Sequence, residues 1–77
     1  MNEISDYIEI NPAVMLGKPV IRGTRITVEG VIGELAAGYT FDDVLKAHPN
    51  LTREAILAAL QYATAILKNE RIYLAAS

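Results

Sequence analysis

Three features of the sequence predict a mainly α domain of three helices that follow short N-terminal β-strands. Its 77 residues suffice for one domain, and 52% of them are hydrophobic. Apolar residues recur with a helical period from Val28 onwards, whereas residues 1–26 contain short extended segments separated by Gly and Pro. Each helical segment also follows a threonine that can cap it, at Thr27, Thr40 and Thr52.

The N-terminal third predicts short strands and a basic turn. Residues 7–10 alternate polar and apolar side chains, as a strand does, and Asn11-Pro12 ends this segment. Two further extended pieces, 20–21 and 25–26, flank the bend Arg22-Gly23-Thr24. Because strands of this length are not stable alone, we expect them to pair with each other or with another chain.

The first two helices are predicted at residues 27–37 and 41–47. Gly38 ends the first helix, whose apolar residues recur at intervals of three and four. Asp42 and Asp43 lie in the first turn of the second helix, where the helix dipole favours a negative charge.

The third helix is predicted at residues 53–71, and its apolar arc is wider than one packing partner needs. At 100° per residue the arc covers roughly half of the circumference or more, whereas a helix packed on one side needs about 100°. A small core could wrap the helix on both sides. We favour contact with the same helix of a second chain, because two-fold homodimers are common and small residues permit close approach. The predicted dimer interface consists of Ala55, Ala59, Tyr62, Ala63 and Ile66.

The composition argues against several classes of function. The chain has no cysteine, which excludes disulfides and thiolate metal sites. A net charge of −2 and a pI near 5.2 argue against general affinity for nucleic acid. No segment reads as a membrane span or a secretory signal, so we expect a cytoplasmic protein without a membrane partner.

No set of residues predicts catalysis. His48 is the single histidine and lacks a second ligand nearby, which is typical of a solvent-facing or capping side chain. Gly17-Lys18 lacks the leading glycine of a phosphate-binding loop, and Pro19 stands where Ser or Thr is required. We therefore expect a non-enzymatic protein that holds no metal or cofactor.

A basic segment interrupts this acidic chain. Residues 11–28 carry Lys18, Arg22 and Arg25 and no acid. Gly23 can take a positive φ, so the bend can present both guanidinium groups to phosphate or carboxylate. In the alternative interpretation, these arginines stabilise the fold by pairing with Glu9, Glu29 or Glu34.

The segment at residues 17–29, Gly-Lys-Pro-Val-Ile-Arg-Gly-Thr-Arg-Ile-Thr-Val-Glu, resembles the signature of domain-of-unknown-function family 433. The similarity continues through residues 35–38 and 49–52 and ends with the alanine-rich helix, so it covers about residues 4–73. Family members often have Gly where Leu16 stands and Pro where Thr27 stands.

The resemblance implies a homeodomain-like or winged helix-turn-helix fold and an antitoxin function. Members are often the antitoxin of a type II toxin–antitoxin pair of the VapB/VapC kind, whose toxin resembles a PIN-domain ribonuclease. By this resemblance the chain would neutralise a ribonuclease and repress its own operon. The residues predicted to contact nucleic acid or the toxin are Lys18, Arg22, Thr24, Arg25, Lys46 and Arg53.

Two other functions stay open from the sequence. The chain could be a free-standing dimeric DNA-binding regulator, or a dimeric interaction module that does not bind DNA. The apolar tail at residues 72–77 either extends the third helix into the dimer or becomes ordered on contact with a partner.

Overall fold

The structure, a computed structural model, describes residues 4–76 and the side chains of residues 4–68. It is mainly helical, with a short two-stranded antiparallel sheet near the N-terminus, which confirms the predicted fold class. The elements in chain order are α1 (Ile4–Tyr7), β1 (Ile8–Glu9), β2 (Val20–Ile21), α2 (Val28–Ala36), α3 (Phe41–Ala47) and α4 (Arg53–Ala76).

The N-terminal segment differs from its prediction. Strands β1 and β2 pair with each other, with Ile8 opposite Ile21. The prediction of a strand over residues 7–10 was wrong at both ends, because Tyr7 ends α1 and Ile10 lies outside β1. A helix as short as α1 has no room for an apolar period, so the pattern did not reveal it.

Helices α2, α3 and α4 begin where the threonines predicted. The Thr27 hydroxyl accepts a hydrogen bond from the Gly30 N–H at 3.0 Å, and the Thr52 hydroxyl accepts one from the Ala55 N–H at 3.2 Å. Thr40 forms a reciprocal capping box, since its hydroxyl accepts from the Asp43 N–H and its own N–H donates to the Asp43 carboxylate. These bonds from Thr40 hold the pKa of the Asp43 carboxyl below its usual value, because they favour the charged form.

Helix α4 begins at the predicted residue and runs past its predicted end at residue 71. The sequence from Lys68 to Ala76 contains neither Gly nor Pro, so it holds no local stop signal. The 24 residues of α4 correspond to a rod about 36 Å long. No helix within residues 4–76 is both long and apolar enough to span a bilayer.

The core lies where α4 packs against α1, α2, α3 and β1. Its most deeply buried large side chains are Val20, Val31, Val44 and Ile56. Ala55 and Ala59 belong to the same core, with exposures of 4% and 0%. Their assignment to a dimer interface was therefore wrong, because their small side chains let α4 approach the rest of its own chain.

Candidate interaction surfaces

The basic bend between β2 and α2 is shaped by Thr24 and Gly23. The Thr24 hydroxyl donates to the Ile21 carbonyl at 2.8 Å and accepts from the Ile26 N–H at 3.0 Å. Gly23 has a φ of +80°, a conformation that side chains disfavour. The bend is therefore ordered by hydrogen bonds of its own before any partner is present.

Arg22 faces the chain's own N-terminal segment. Its Nη2 donates to the Ser5 carbonyl at 2.6 Å and reaches the Ile8 carbonyl at 3.4 Å, while its backbone N–H donates to the Tyr7 carbonyl. These contacts satisfy carbonyl groups at the end of α1, which lack helical partners. The alternative interpretation was right that this arginine stabilises the fold, but wrong about its partners, because Arg22 contacts backbone carbonyls and not Glu9, Glu29 or Glu34.

Arg25 differs from Lys18 and Arg22 in having no partner within residues 4–68. Lys18 lies 3.2 Å from the Glu29 carboxylate, in a pair that is largely exposed. Arg25 is exposed and forms no hydrogen bond or ion pair with any residue in the described range 4–68. Among the residues that the structure describes, the bend thus presents one guanidinium without a partner, where the sequence suggested two.

Lys46 and Arg53 lie at the junction of α3 and α4. The Arg53 guanidinium carbon is 4.7 Å from the centre of the Phe41 ring, within the range of a cation–π contact. Lys46 is exposed in the last turn of α3. Exposed acids at Asp42, Asp43 and Glu54 lie in the same two helices, so this part of the surface carries both signs of charge.

His48 joins the end of α3 to α2. Its Nε2 lies 2.9 and 3.2 Å from the two carboxylate oxygens of Glu34, and both side chains are about three-quarters buried. His48 is also the C-cap residue of α3, but its backbone N–H makes the cap by donating to the Val44 carbonyl. The expectation of a solvent-facing or capping side chain was wrong, because the packing of α3 near α2 brings the imidazole to Glu34. Across the described residues, no three His, Asp or Glu side chains form a group that could hold a metal ion.

An open apolar groove of about 410 Å³ lies between α2 and α4, and we call it the α2–α4 groove. Three residues of the predicted dimer interface, Tyr62, Ala63 and Ile66, line it. Leu67 also lines it and is 55% exposed, against 38% for Ile66. The predicted interface did not include Leu67, because the apolar arc alone could not show which of its edges stays open. The remaining lining residues are Val28, Glu29, Ile32 and Gly33.

A left-handed turn before β2 exposes two further apolar side chains. Met15, Leu16 and Gly17 have φ values of 49°, 59° and 80°. Leu16 is 94% exposed and Met15 is 42% exposed. Neither side chain was predicted from the sequence to belong to a site. The available signal was Leu16 itself, because family members often have glycine at this position.

Comparisons with known proteins identify the family. The model of the family described as protein of unknown function (DUF433) matches residues 8–63. The uncharacterized protein y4eO of Sinorhizobium fredii (strain NBRC 101917 / NGR234) is 38% identical over 60 residues, which are 78% of this chain and 27% of that protein. The chain thus spans about a quarter of the length of this relative.

A solved structure of similar fold is the crystal structure of a DUF433 member protein from Anabaena variabilis ATCC 29413. Its TM-score is 0.78 at 29% sequence identity, over 94% of this chain and 71% of that one. Because the family model covers most of the chain, and the fold agrees with that of a solved member, the chain belongs to the DUF433 family.

Proposed function

We propose that this protein is the antitoxin of a type II toxin–antitoxin pair and neutralises a PIN-like ribonuclease by direct binding. The observation that supports the proposal is the exposed Arg25 guanidinium, which has no partner within residues 4–68, on a bend that is ordered by the chain's own hydrogen bonds. Lys18 and Arg22 are engaged within the chain, so Arg25 is the residue of the bend that is available to a partner.

A free arginine on a preordered bend suits an acidic nuclease site. Its planar guanidinium can bind a carboxylate through two parallel hydrogen bonds. Since the bend is already ordered, little conformational entropy is lost when it docks. A guanidinium placed among metal-binding carboxylates competes with the metal ion that the nuclease requires, and this would stop RNA cleavage.

The test is co-expression of this chain with a PIN-like ribonuclease encoded beside it. We expect a stable complex in which RNA cleavage is suppressed. Arg25→Ala should weaken binding by about 10- to 150-fold, since hydrogen bonds to charged groups contribute about 1.5–3 kcal/mol. Lys68→Ala is the matched control, because Lys68 is an exposed cation on α4 rather than on the bend. A failure to form a complex, together with undiminished cleavage, would refute the proposal. Equal losses in both variants would show that only net charge matters.

Operator binding is a second candidate, favoured by the α3–α4 junction. A turn at residues 48–52 joins these helices, and the exposed side chains of Lys46 and Arg53 flank it. If these residues contact phosphate, the logarithm of affinity for upstream DNA should fall with the logarithm of salt concentration by about 0.9 per contact. Lys46→Ala should then reduce this slope by about one. Undetectable binding at low salt would exclude operator recognition by the chain alone.

A further inference from the structure

The basic bend is anchored to the core at both of its ends. Ile21, which precedes the bend, belongs to the core cluster, and Ile26, which follows it, packs against that cluster. The Ile21 N–H donates to the Ile26 carbonyl at 2.8 Å, which closes the base of the bend. Arg25 directly precedes the second anchor, so its orientation depends on how residues 24–26 are held.

The hydroxyl of Thr24 holds these residues. It donates to the Ile21 carbonyl at 2.8 Å and accepts from the Ile26 N–H at 3.0 Å. The first of these contacts is duplicated, because the Thr24 backbone N–H also donates to the Ile21 carbonyl. The second is not, since the Ile26 N–H donates to no other acceptor among the described residues. The hydroxyl is therefore the group that ties Thr24 to Ile26 across Arg25.

The two side chains at positions 24 and 25 differ in what they can offer a partner. Thr24 is partly buried, and its single O–H is already donated within the chain. Arg25 is exposed and has no partner within residues 4–68. Thr24, which was predicted from the sequence to contact nucleic acid or the toxin, is thus placed to act through its neighbour instead.

We propose that Thr24 is a positioning residue for ribonuclease binding, because its hydroxyl fixes the orientation in which Arg25 meets the carboxylates of the nuclease. This inference rests on the proposed function. A guanidinium binds a carboxylate through two parallel hydrogen bonds only when the two planes are aligned. Order that exists before binding is not paid for on binding, so a loosened bend should bind more weakly. Fixing one backbone residue costs about 1–2 kcal/mol, which corresponds to a loss of about 5- to 30-fold in affinity.

Two substitutions of Thr24 separate its hydroxyl from its shape. Thr24→Val keeps the branched side chain but removes the hydroxyl, whereas Thr24→Ser keeps the hydroxyl. We measure the affinity of the full chain for the neighbouring ribonuclease by isothermal titration calorimetry. Thr24→Val should weaken the complex by about 5- to 30-fold, and Thr24→Ser should restore nearly all of this loss. In an Arg25→Ala background Thr24→Val should change the affinity little, because the side chain that it positions is absent.

Amide hydrogen exchange of the free chain supplies a readout that needs no partner. Thr24→Val should speed exchange at the Ile26 N–H, while the Val31 N–H, which donates to the Thr27 carbonyl in α2, should keep its protection. Equal exchange at Ile26 in wild type and Thr24→Val would overturn the positioning role.

The outcomes distinguish this inference from the proposed function. A wild-type chain that forms no complex with the ribonuclease would refute both. A complex that Thr24→Val leaves intact would overturn the positioning role alone. So would a loss of the same factor with and without Arg25, because Thr24 would then contact the partner itself or serve only the fold.

Discussion

Replacing Leu16 with glycine should make the protein more stable, although it removes a large apolar side chain. Leu16 has a φ of 59° and a ψ of 29°, which is the left-handed helical region. Residues with a Cβ adopt this region at a cost, because the Cβ approaches a carbonyl oxygen too closely. The Leu16 side chain is 94% exposed, so its removal forfeits almost no packing.

The expected gain follows from two opposing contributions. The left-handed conformation costs a residue other than glycine about 1–2 kcal/mol. Glycine gives back about 0.4–1 kcal/mol, because it makes the unfolded chain more flexible. The net stabilisation of Leu16→Gly is therefore about 0.5–1 kcal/mol, or roughly 3–6 °C in melting temperature for a domain of this size.

Two control variants distinguish backbone strain from loss of the side chain. Leu16→Ala deletes the exposed atoms but keeps the Cβ, so its stability should lie within about 0.5 kcal/mol of wild type. Gly17→Ala should destabilise, because the φ of Gly17 is +80° while its Cβ would make only ordinary contact with Pro12. The measurement is urea denaturation followed by circular dichroism at one protein concentration. If Leu16→Gly proves no more stable than Leu16→Ala, the assignment of strain to this turn is refuted.

Two further predictions concern the bend and the capping box. Arg22→Ala should lower the free energy of unfolding by about 1 kcal/mol, since it removes the hydrogen bond to the Ser5 carbonyl, whereas Arg25→Ala should leave stability unchanged. Urea denaturation of the two variants side by side checks this, and equal effects would contradict the different roles assigned to the two arginines. Asp43→Asn should reduce the melting temperature at about pH 6 but not in strong acid. The lowered pKa of Asp43 means that its ionised form stabilises the folded chain above pH 3.8, its ordinary value, and that this contribution fades as the pH falls below it. Thermal unfolding across this pH range is the test, and a difference from wild type that persists in strong acid would show that the charge of Asp43 is not the cause.

Features that depend on near neighbours in the chain were predicted well. Thr27, Thr40 and Thr52 cap their helices because a hydroxyl and the N–H it accepts from are three residues apart. Gly38 ends α2 with a φ of +105°, a conformation that glycine adopts readily because it has no Cβ, so this stop also depends on the local sequence. Contacts across many residues were not predicted, such as those from Arg22 to Ser5 and from His48 to Glu34. At such sequence separations a donor side chain could reach many different acceptors, and the packing of the folded chain decides which acceptor it contacts.

The amino-acid pattern by itself determined the helical class, the beginnings of α2, α3 and α4, and the wide apolar arc of α4. Helical periodicity places side chains on a common face, but it carries no information about which neighbour covers that face. Tertiary packing decided that Ala55 and Ala59 face the chain's own core, while Ile66 and Leu67 line an open groove. It also decided that Arg22 is engaged within the chain, whereas Arg25 has no partner in the described range 4–68. The physical reason is the same in both cases, because burial and pairing depend on where distant segments of the chain come to lie.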